Sequence, residues 1–263
     1  MGLLPGASFS SVDVVRAIML FASLGGSTVL WANTNYSSPP PTSFTFHEAI
    51  PKTGSSINLG KVNGKISAVG WSEPYVLING TITVMGEGAN PDKVILYEQN
   101  DAGAISFTPF YNDTTPGRDY TIDVNLFLPL AVNFSSIALE GIGPASIQMG
   151  PISAHSIWLE TWSGKIDMTL RPAQGGDYGL TTHASGGDVD LKVYQTASFQ
   201  IQASSYTGQV TVKGFTNCQL DNSVPYAAFG SQATITCGGY STNISVKTYT
   251  AEFSSGNITI ESI

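Results

Sequence analysis

A short phrase that recurs between residues 155 and 215 constrains the fold of this chain more than any other feature. Each copy has an alternating apolar run, a small residue and a glycine, and then a second alternating run. The glycines of the three copies are Gly164, Gly187 and Gly208, which lie 23 and 21 positions apart. Repeats of about this length are typical of stacked architectures, in which each unit buries its apolar edge against its neighbours.

Alignment of the copies on their glycines places apolar and polar side chains in separate columns. A fourth copy, at residues 254–260, lies 48 positions beyond Gly208, so we expect the intervening segment to form a stretched, irregular unit. Parallel stacking predicts contacts about 22 residues apart, such as Ile166 with Val189. The apolar columns are Ile166, Val189, Val210, Ile258 and Met168, Leu191, Val212, Ile260, and the outward column is Asp167, Asp190, Thr211, Thr259.

The rest of the chain beyond residue 33 also has the pattern of β-strands. Short alternating runs are separated by Gly, Pro, Asn and Asp, and no helical period is sustained over 11 residues. We predict an all-β fold of stacked coils, like a β-solenoid or β-helix, with an N-terminal transmembrane helix. A β-sandwich whose strands pair as hairpins is the alternative. The predicted parts are a signal-anchor segment (1–32), a Pro/Ser/Thr-rich linker (33–56) and a β-repeat domain (57–263).

The N-terminal region contains an uncharged, mostly apolar run at residues 17–32, which follows Arg16. A membrane-spanning helix needs about 20 residues, and a helix that begins near Val12 reaches this length. Cleavage as a signal peptide is an alternative, although the bulky Leu30 and Trp31 make a poor cleavage site, and a buried core helix is a third possibility. We predict a single-pass membrane anchor over residues 12–32, with the N-terminus inside and the β-domain outside the cell. Cleavage would instead give a secreted protein.

Charge and composition exclude one class of partner. Charged residues make up 11% of the chain, the net charge is -8, and the 11 Lys and Arg residues are scattered. Because phosphate binding needs clustered cations, the sequence predicts no nucleic-acid partner.

Cys218 and Cys237 are the two cysteines of the chain, 19 positions apart. The absence of a CxxC pair and of a nearby histidine argues against zinc, which leaves free thiols or a disulfide. We predict a disulfide because the other features indicate an exported domain. A separation close to one repeat further predicts that the bridge joins adjacent stacked units.

Six N-x-Ser/Thr sequons lie beyond the apolar run, and none precedes Trp31. Some must arise by chance in a chain so rich in Asn, Ser and Thr, but their distribution suits an exported glycoprotein. The candidate glycosylation sites are Asn35, Asn79, Asn112, Asn133, Asn243 and Asn257.

Candidate catalytic groups are few. The outward residues Asp167 and Asp190 would lie about 5 Å apart, a spacing compatible with calcium binding or with retaining glycosidases. They have neither a third acidic column nor an evident basic partner, so they are weak calcium candidates. The three histidines have no metal spacing, and no G-x-S-x-G motif occurs. The sequence therefore predicts no enzyme and no cofactor.

Aromatic residues recur along the repeats and suggest two roles. They could form a stripe on which sugars stack, or they could fill the core and the corners of the units. These residues are Trp158, Trp162, Tyr178, Tyr194, Phe199, Tyr206 and Phe215.

Residues 70–78 (GWSEPYVLI) and 120–129 (YTIDVNLFLP), followed by the Ser-Gly repeats, resemble an adhesin-like β-solenoid family of archaeal and bacterial cell envelopes. The resemblance covers about residues 57–263. It implies a stacked β fold at the cell envelope and brings no catalytic residues. The sequence departs from the family pattern at Leu130 and in the irregular unit at residues 217–239.

Together these features predict a membrane-anchored, extracytoplasmic β-repeat protein with a structural or adhesive role at the cell surface. Its expected partners are proteins or surface glycans. One alternative is an accessory subunit of a larger membrane complex with an outward-facing β-domain. Another is a β-solenoid that binds or cleaves polysaccharide.

Overall fold

The computed structural model describes residues 40–50, 55–86, 88–101, 104–112, 119–173, 175–183, 187–195, 199–221, 230–237, 245–250 and 256–263. The predicted membrane segment, residues 12–32, lies outside them. Within these ranges no helix has the length and apolar content that crossing a lipid bilayer requires.

The described residues form β-strands and one 3-10 helix, Pro91–Lys93. The strands are β1 (Thr42–Ile50), β2 (Ser56–Val62), β3 (Lys65–Trp71), β4 (Val76–Val84), β5 (Val94–Asp101), β6 (Ala104–Tyr111), β7 (Tyr120–Pro129), β8 (Phe134–Gly141), β9 (Ser146–Met149), β10 (Ala154–Thr161), β11 (Ile166–Leu170), β12 (Asp177–Thr182), β13 (Val189–Val193), β14 (Phe199–Ser205), β15 (Val210–Lys213), β16 (Cys218–Asp221), β17 (Ser231–Cys237), β18 (Ser245–Thr250) and β19 (Ile258–Ser262).

Two mixed sheets contain all of these strands. Sheet A has the order β1-β4-β7-β3-β9-β11-β13-β19-β15, and sheet B has the order β16-β17-β14-β18-β12-β10-β8-β2-β6-β5. Parallel pairs fill the middle of each sheet, whereas antiparallel pairs such as β1–β4 and β16–β17 lie towards the ends. The predicted all-β class is confirmed. The mixed sheets fit the sandwich alternative, and the regular solenoid that we expected from the repeat is not observed.

The repeat itself sets the pairing in the middle of sheet A. Ile166 on β11 lies beside Val189 on β13 in parallel register, as the repeat predicts. Val189 then pairs with Ile258 on β19, and Ile258 pairs with Val210 on β15. The unit β18–β19 is therefore inserted between β12–β13 and β14–β15, although it follows both in the chain. The long interval between Gly208 and the fourth copy was predicted to form a stretched unit. The structure shows instead that the strand order changes there, because β19 lies between β13 and β15.

The inner faces of the two sheets share one apolar core. Alternation along each strand places every second side chain inside, because successive side chains in a strand point to opposite faces. In sheet B one row at a single register runs across eight strands, and the seven of its side chains whose burial is described are each at most 3% exposed. Burial of an isoleucine side chain stabilises a fold by about 1.5–3 kcal/mol. These seven side chains are Ile105, Ile57, Ile137, Ile157, Tyr178, Ile201 and Ile235, and β18 supplies the remaining position of the row.

The segment predicted as a linker, residues 33–56, contains strand β1. This strand pairs along its whole length with β4, and its alternate residues Phe46 and Ile50 are buried. The ring of Phe46 lies directly over Gly80, where a Cβ would collide with it. The Pro and Ser residues that suggested a spacer therefore precede a strand of sheet A.

Buried hydroxyl groups close the turns that join sheet B to sheet A. The Thr161 hydroxyl donates to the carbonyl oxygen of Ala145 at 2.6 Å and accepts from the Gly164 N–H at 3.3 Å. Ser205 makes the equivalent pair of bonds in the β14–β15 turn. Both hydroxyls satisfy backbone groups that would otherwise be buried without a partner.

The repeat glycines stack on one another at these turns. A Cβ on Gly256 would lie 2.6 Å from the carbonyl carbon of Gly187 and closer still to its oxygen. A Cβ on Gly208 would meet the carbonyl carbon of Gly256 at 2.7 Å. The glycines are therefore required by close approach between neighbouring turns.

The predicted disulfide between Cys218 and Cys237 is formed. It joins β16 to β17, where the two residues lie directly opposite each other in antiparallel register with a Cα–Cα distance of 4.3 Å. The expected link between adjacent parallel units is therefore wrong. An antiparallel pair explains the short distance equally well, because opposed residues in such a pair lie 4.5–5.5 Å apart.

Candidate functional site

Two tryptophans expose much of their side chains on the outer face of sheet B. Trp158 lies in the middle of β10 and is 42% exposed, and Trp162 follows the end of β10 and is 60% exposed. Large aromatic groups at a protein surface frequently mark a binding site. These two residues are therefore the centre of the candidate site.

Trp158 lies flat against the sheet. Its neighbours in register are Ala138 on β8 and Gly179 on β12, both too small to lift the indole ring. A Cβ on Gly179 would lie 3.1 Å from Cδ2 of Trp158 and closer to Cε3 and Cζ3. The indole Nε1–H donates to Oε2 of Glu160 at 3.1 Å, which fixes the ring orientation. One face of the indole thus packs on Gly179.

Glu160 and His183 connect the two tryptophans. Oε1 of Glu160 lies 2.6 Å from Nε2 of His183, and the pair is an ion pair when the imidazole is protonated. The His183 ring stacks on Trp162, with 5.9 Å between ring centroids and 24° between planes. We call Trp158, Glu160, Trp162 and His183 together the tryptophan surface. Its side chains hold one another in fixed orientations.

Glu140 adds a second carboxylate beside the tryptophan surface. It lies on β8 directly opposite Glu160 on β10 and is exposed. Neighbouring strands are about 4.8 Å apart, so the two carboxylates border the same area. In the described part of the chain, no hydrogen bond or ion pair holds the Glu140 side chain. The surface therefore offers flat apolar rings beside strong hydrogen-bond acceptors.

The other aromatic residues of the repeats have different positions. Tyr178 and Phe199 are buried in the core, and Phe215 packs against Phe199 at 6.0 Å. The guanidinium of Arg171 covers the ring of Tyr194 at 4.8 Å. Of the seven aromatic residues suggested for a sugar-binding stripe, Trp158 and Trp162 are therefore the two whose rings are widely exposed.

The acidic pair Asp167 and Asp190 lies side by side on the outer face of sheet A, as predicted. The sequence reasoning missed its basic partner, Lys165, whose ammonium group pairs with the Asp190 carboxylate. The hydrogen bond to Asp190 raises the pKa of Lys165, and the charges of Asp190, Asp167 and Asp188 act in the same direction. Lys165 precedes Asp167 by two positions, which places both on one face of the chain and could have revealed the pair. Among the described residues, no group of three or more His, Cys, Asp or Glu side chains could hold a metal ion.

The sequons lie in contrasting environments. Asn112, Asn133 and Asn257 are exposed, whereas Asn79 lies half-buried within β4 and its Oδ1 atom is buried without a hydrogen-bond partner in the described ranges. Asn79 lines a depression of about 370 Å³ together with His47 and Asn125. Glycosylation of all of these sites stays a prediction. Asn35 and Asn243 lie outside the described residues.

Comparison with known proteins shows that this chain is similar in fold to solved structures. No family model matches the chain, and no curated protein matches its sequence. A putative cell adhesion protein from Clostridium sporogenes has a similar crystal structure, with a TM-score of 0.54, 13% sequence identity, and coverage of 85% of this chain and 100% of that chain.

Two putative adhesins give weaker structural matches. The one from Bacteroides fragilis has a TM-score of 0.36 and 11% identity, over 84% of this chain and 97% of its own. The one from Parabacteroides merdae has a TM-score of 0.29 and 12% identity, over 84% of this chain and 96% of its own. These three bacterial proteins are described as putative adhesins or cell adhesion proteins and share at most 13% identity with this chain, and a β-solenoid family is not identified.

Proposed function

We propose that this chain is an adhesive domain displayed at a cell surface, and that it binds its partner through the tryptophan surface. The observation that carries the proposal is the ordered exposure of Trp158 and Trp162. Exposed apolar rings cost hydration free energy, and binding hot spots are rich in tryptophan. The hydrogen bonds through Glu160 and His183 orient the rings in advance, so little side-chain entropy is lost when a partner binds.

Two further observations support this role. The fold is similar to that of the Clostridium sporogenes protein, which is described as a putative cell adhesion protein. The Cys218–Cys237 disulfide suits an oxidising environment outside the cytoplasm.

In this proposal, residues 12–32 hold the β-domain outside the cell as a single-pass membrane anchor. The uncharged apolar run of the sequence supports the anchor. Fractionation of the producing cells and the intact mass of the mature protein test it together. Full-length protein in the membrane fraction supports the anchor, whereas a shortened protein in the medium indicates secretion after cleavage.

The adhesive role is tested with cells that produce the full chain. Attachment under flow to a surface coated with envelope material from the same cells is compared with attachment of the double variant Trp158→Ala/Trp162→Ala. Tyr97→Ala is the matched control, because Tyr97 is 56% exposed on β5, four strands away from β10 in sheet B. We expect attachment to fall about tenfold in the double variant and to be unchanged in the control.

Two results would contradict the proposal. One is attachment that is equal for the double variant and the natural chain, with both shown to be folded by circular dichroism. The other is purification from membranes in mild detergent as a stoichiometric complex with other subunits, which would favour the accessory-subunit alternative.

A further inference from the structure

We infer that the tryptophan surface binds a neutral carbohydrate chain, an inference that rests on the adhesive function proposed above and names the ligand class. A pyranose ring has an apolar face of C–H groups and an edge of hydroxyl groups. A site for it needs a flat apolar surface with hydrogen-bond acceptors at its border. The outer face of sheet B has both.

Trp158 provides the flat surface. Because its indole lies along the sheet over Gly179, one face packs on the backbone and the opposite face is directed away from the sheet. The bond from Nε1 to Glu160 uses the polar atom of the ring at its edge, which leaves the π face for stacking. The glycine is therefore a positioning residue for the platform, since a larger residue would displace the indole.

Glu160 and Glu140 provide the acceptors. Ionised carboxylates accept hydrogen bonds only, and bonds from neutral donors to them are stronger than bonds between neutral groups. Each Glu160 oxygen carries one described bond, to Trp158 or to His183, and retains further acceptor capacity. Sugar hydroxyls are suitable donors. The same negative charges, in a chain of net charge -8, repel phosphates and acidic sugars, which favours a neutral glycan.

A glycan suits this surface better than a protein does. Protein-binding patches have a contiguous apolar centre, from which charged residues are depleted. Here the space between the two indoles is occupied by Glu160 and His183, so the apolar area is divided into separate rings.

The spacing of the rings indicates a chain of sugars. Trp158 lies within β10 and Trp162 directly follows its end, four positions further on, which corresponds to about 13 Å between their Cα atoms at the rise of an extended strand. This distance is longer than one pyranose ring. An oligosaccharide is therefore needed to contact both tryptophans. Binding should therefore strengthen with oligomer length, because the second contact becomes intramolecular.

The first experiment identifies the chemistry of the partner on the coated surface. Mild periodate oxidation cleaves the vicinal diols of sugars, whereas protease digestion removes polypeptide. We expect attachment of cells that carry the natural chain to be lost after periodate and kept after protease. Loss after protease with resistance to periodate would overturn the carbohydrate inference. If that attachment still depended on Trp158 and Trp162, the adhesive function itself would stand with a protein partner.

The second experiment uses the purified full chain and isothermal titration calorimetry with glycans released from the coated surface, cellohexaose, chitohexaose and the matching disaccharides. We expect a hexamer or released glycan to bind at least about tenfold more tightly than the corresponding disaccharide, and Trp158→Ala to weaken binding by a similar factor. Gly179→Ala should do the same with Trp158 still present, while Tyr97→Ala should bind normally. Glycan binding that is unaffected by Trp158→Ala and Gly179→Ala would place the glycan elsewhere and overturn the inference. Unchanged thermal unfolding of each variant excludes misfolding as the cause.

Discussion

Replacement of Gly256 by alanine tests the strand order of sheet A. The contact between Gly256 and Gly187 exists because β19 lies beside β13, and it would be absent if the units were stacked in chain order. A new Cβ on Gly256 would lie 2.6 Å from the carbonyl carbon of Gly187, whereas carbon atoms pack at about 3.5–4.0 Å. The two turns must therefore separate by at least about 1 Å, because the Gly187 carbonyl oxygen lies closer still to the new Cβ.

The energetic effect follows from the bonds around this turn. The Val189 N–H donates to the Asn257 carbonyl at 2.9 Å, and the Asn257 N–H donates to the Asp188 carboxylate at 2.7 Å. Overpacking costs about 1–3 kcal/mol, and weakening one such bond adds about 1 kcal/mol. The smaller entropy of the unfolded alanine chain offsets about 0.4–1 kcal/mol. We expect a net loss of about 1–3.5 kcal/mol, or a Tm about 2–14 °C lower for a domain of this size.

Urea unfolding monitored by tryptophan fluorescence, with thermal unfolding by circular dichroism, measures this loss. The matched control is Gly150→Ala, because the nearest atom to its new Cβ is the Ala68 carbonyl oxygen at an ordinary 3.7 Å. The control should change stability by less than about 0.5 kcal/mol. Equal stability of Gly256→Ala and Gly150→Ala would refute the close approach, and with it the position of β19.

Three further changes test separate parts of the structure. Thr161→Val removes the hydroxyl that serves two backbone groups and should cost about 1–3 kcal/mol in urea unfolding, whereas Thr169→Val on the outer face of β11 should be nearly neutral. Tyr178→Phe should cost about 1–2 kcal/mol at neutral pH by the same measurement, because the Tyr178 hydroxyl donates to one backbone carbonyl and accepts from one N–H. Since burial raises the pKa of Tyr178, the natural chain loses stability as pH rises from about 10 through that raised pKa, and the variant should lack this part of the alkaline loss. Replacement of both Cys218 and Cys237 by alanine should lower the free energy of unfolding by about 3 kcal/mol in thermal unfolding, because the disulfide restricts the unfolded chain. A change below about 0.5 kcal/mol would contradict this role of the disulfide.

Local pattern in the sequence predicted the local structure well. The apolar columns and the Asp167–Asp190 pair follow from alternation and spacing, which depend on neighbouring residues. The disulfide was predicted from the signs of an exported domain, and its antiparallel position was not. The strand β1 was missed although Phe44 and Phe46 alternate with polar residues, because the preceding prolines suggested a linker.

The order of the strands could not be predicted from the same information. Val210 and Ile258 occupy one column, and either could pair with Val189 without a change of side-chain pattern. The backbone hydrogen bonds at a strand edge can be made by any neighbouring strand in register. Alternation alone therefore does not select between β15 and β19 as the neighbour of β13.

Part of the candidate site could be predicted from the sequence alone. Trp158 and Trp162 were identified as aromatic candidates, but Glu160 and His183 were not connected to them. The two residues are 23 positions apart, the same separation as Gly164 and Gly187, so the repeat places them on neighbouring units, Glu160 on β10 and His183 directly after the end of β12. What the sequence does not contain is the flat position of the Trp158 ring, because it results from contact with Gly179 on another strand.

The insertion of β18–β19 has a consequence for how the chain acquires its structure. As the polypeptide leaves the ribosome, β14 and β15 emerge before the two strands that separate them from β12 and β13. The free edge of β13 can then pair transiently with β15, since their apolar residues are compatible, and this pairing must be broken before β19 enters. Incomplete domains with open strand edges are prone to such misassembly and to aggregation. We therefore expect this half of the domain to reach its native pairing only after β19 has been synthesised.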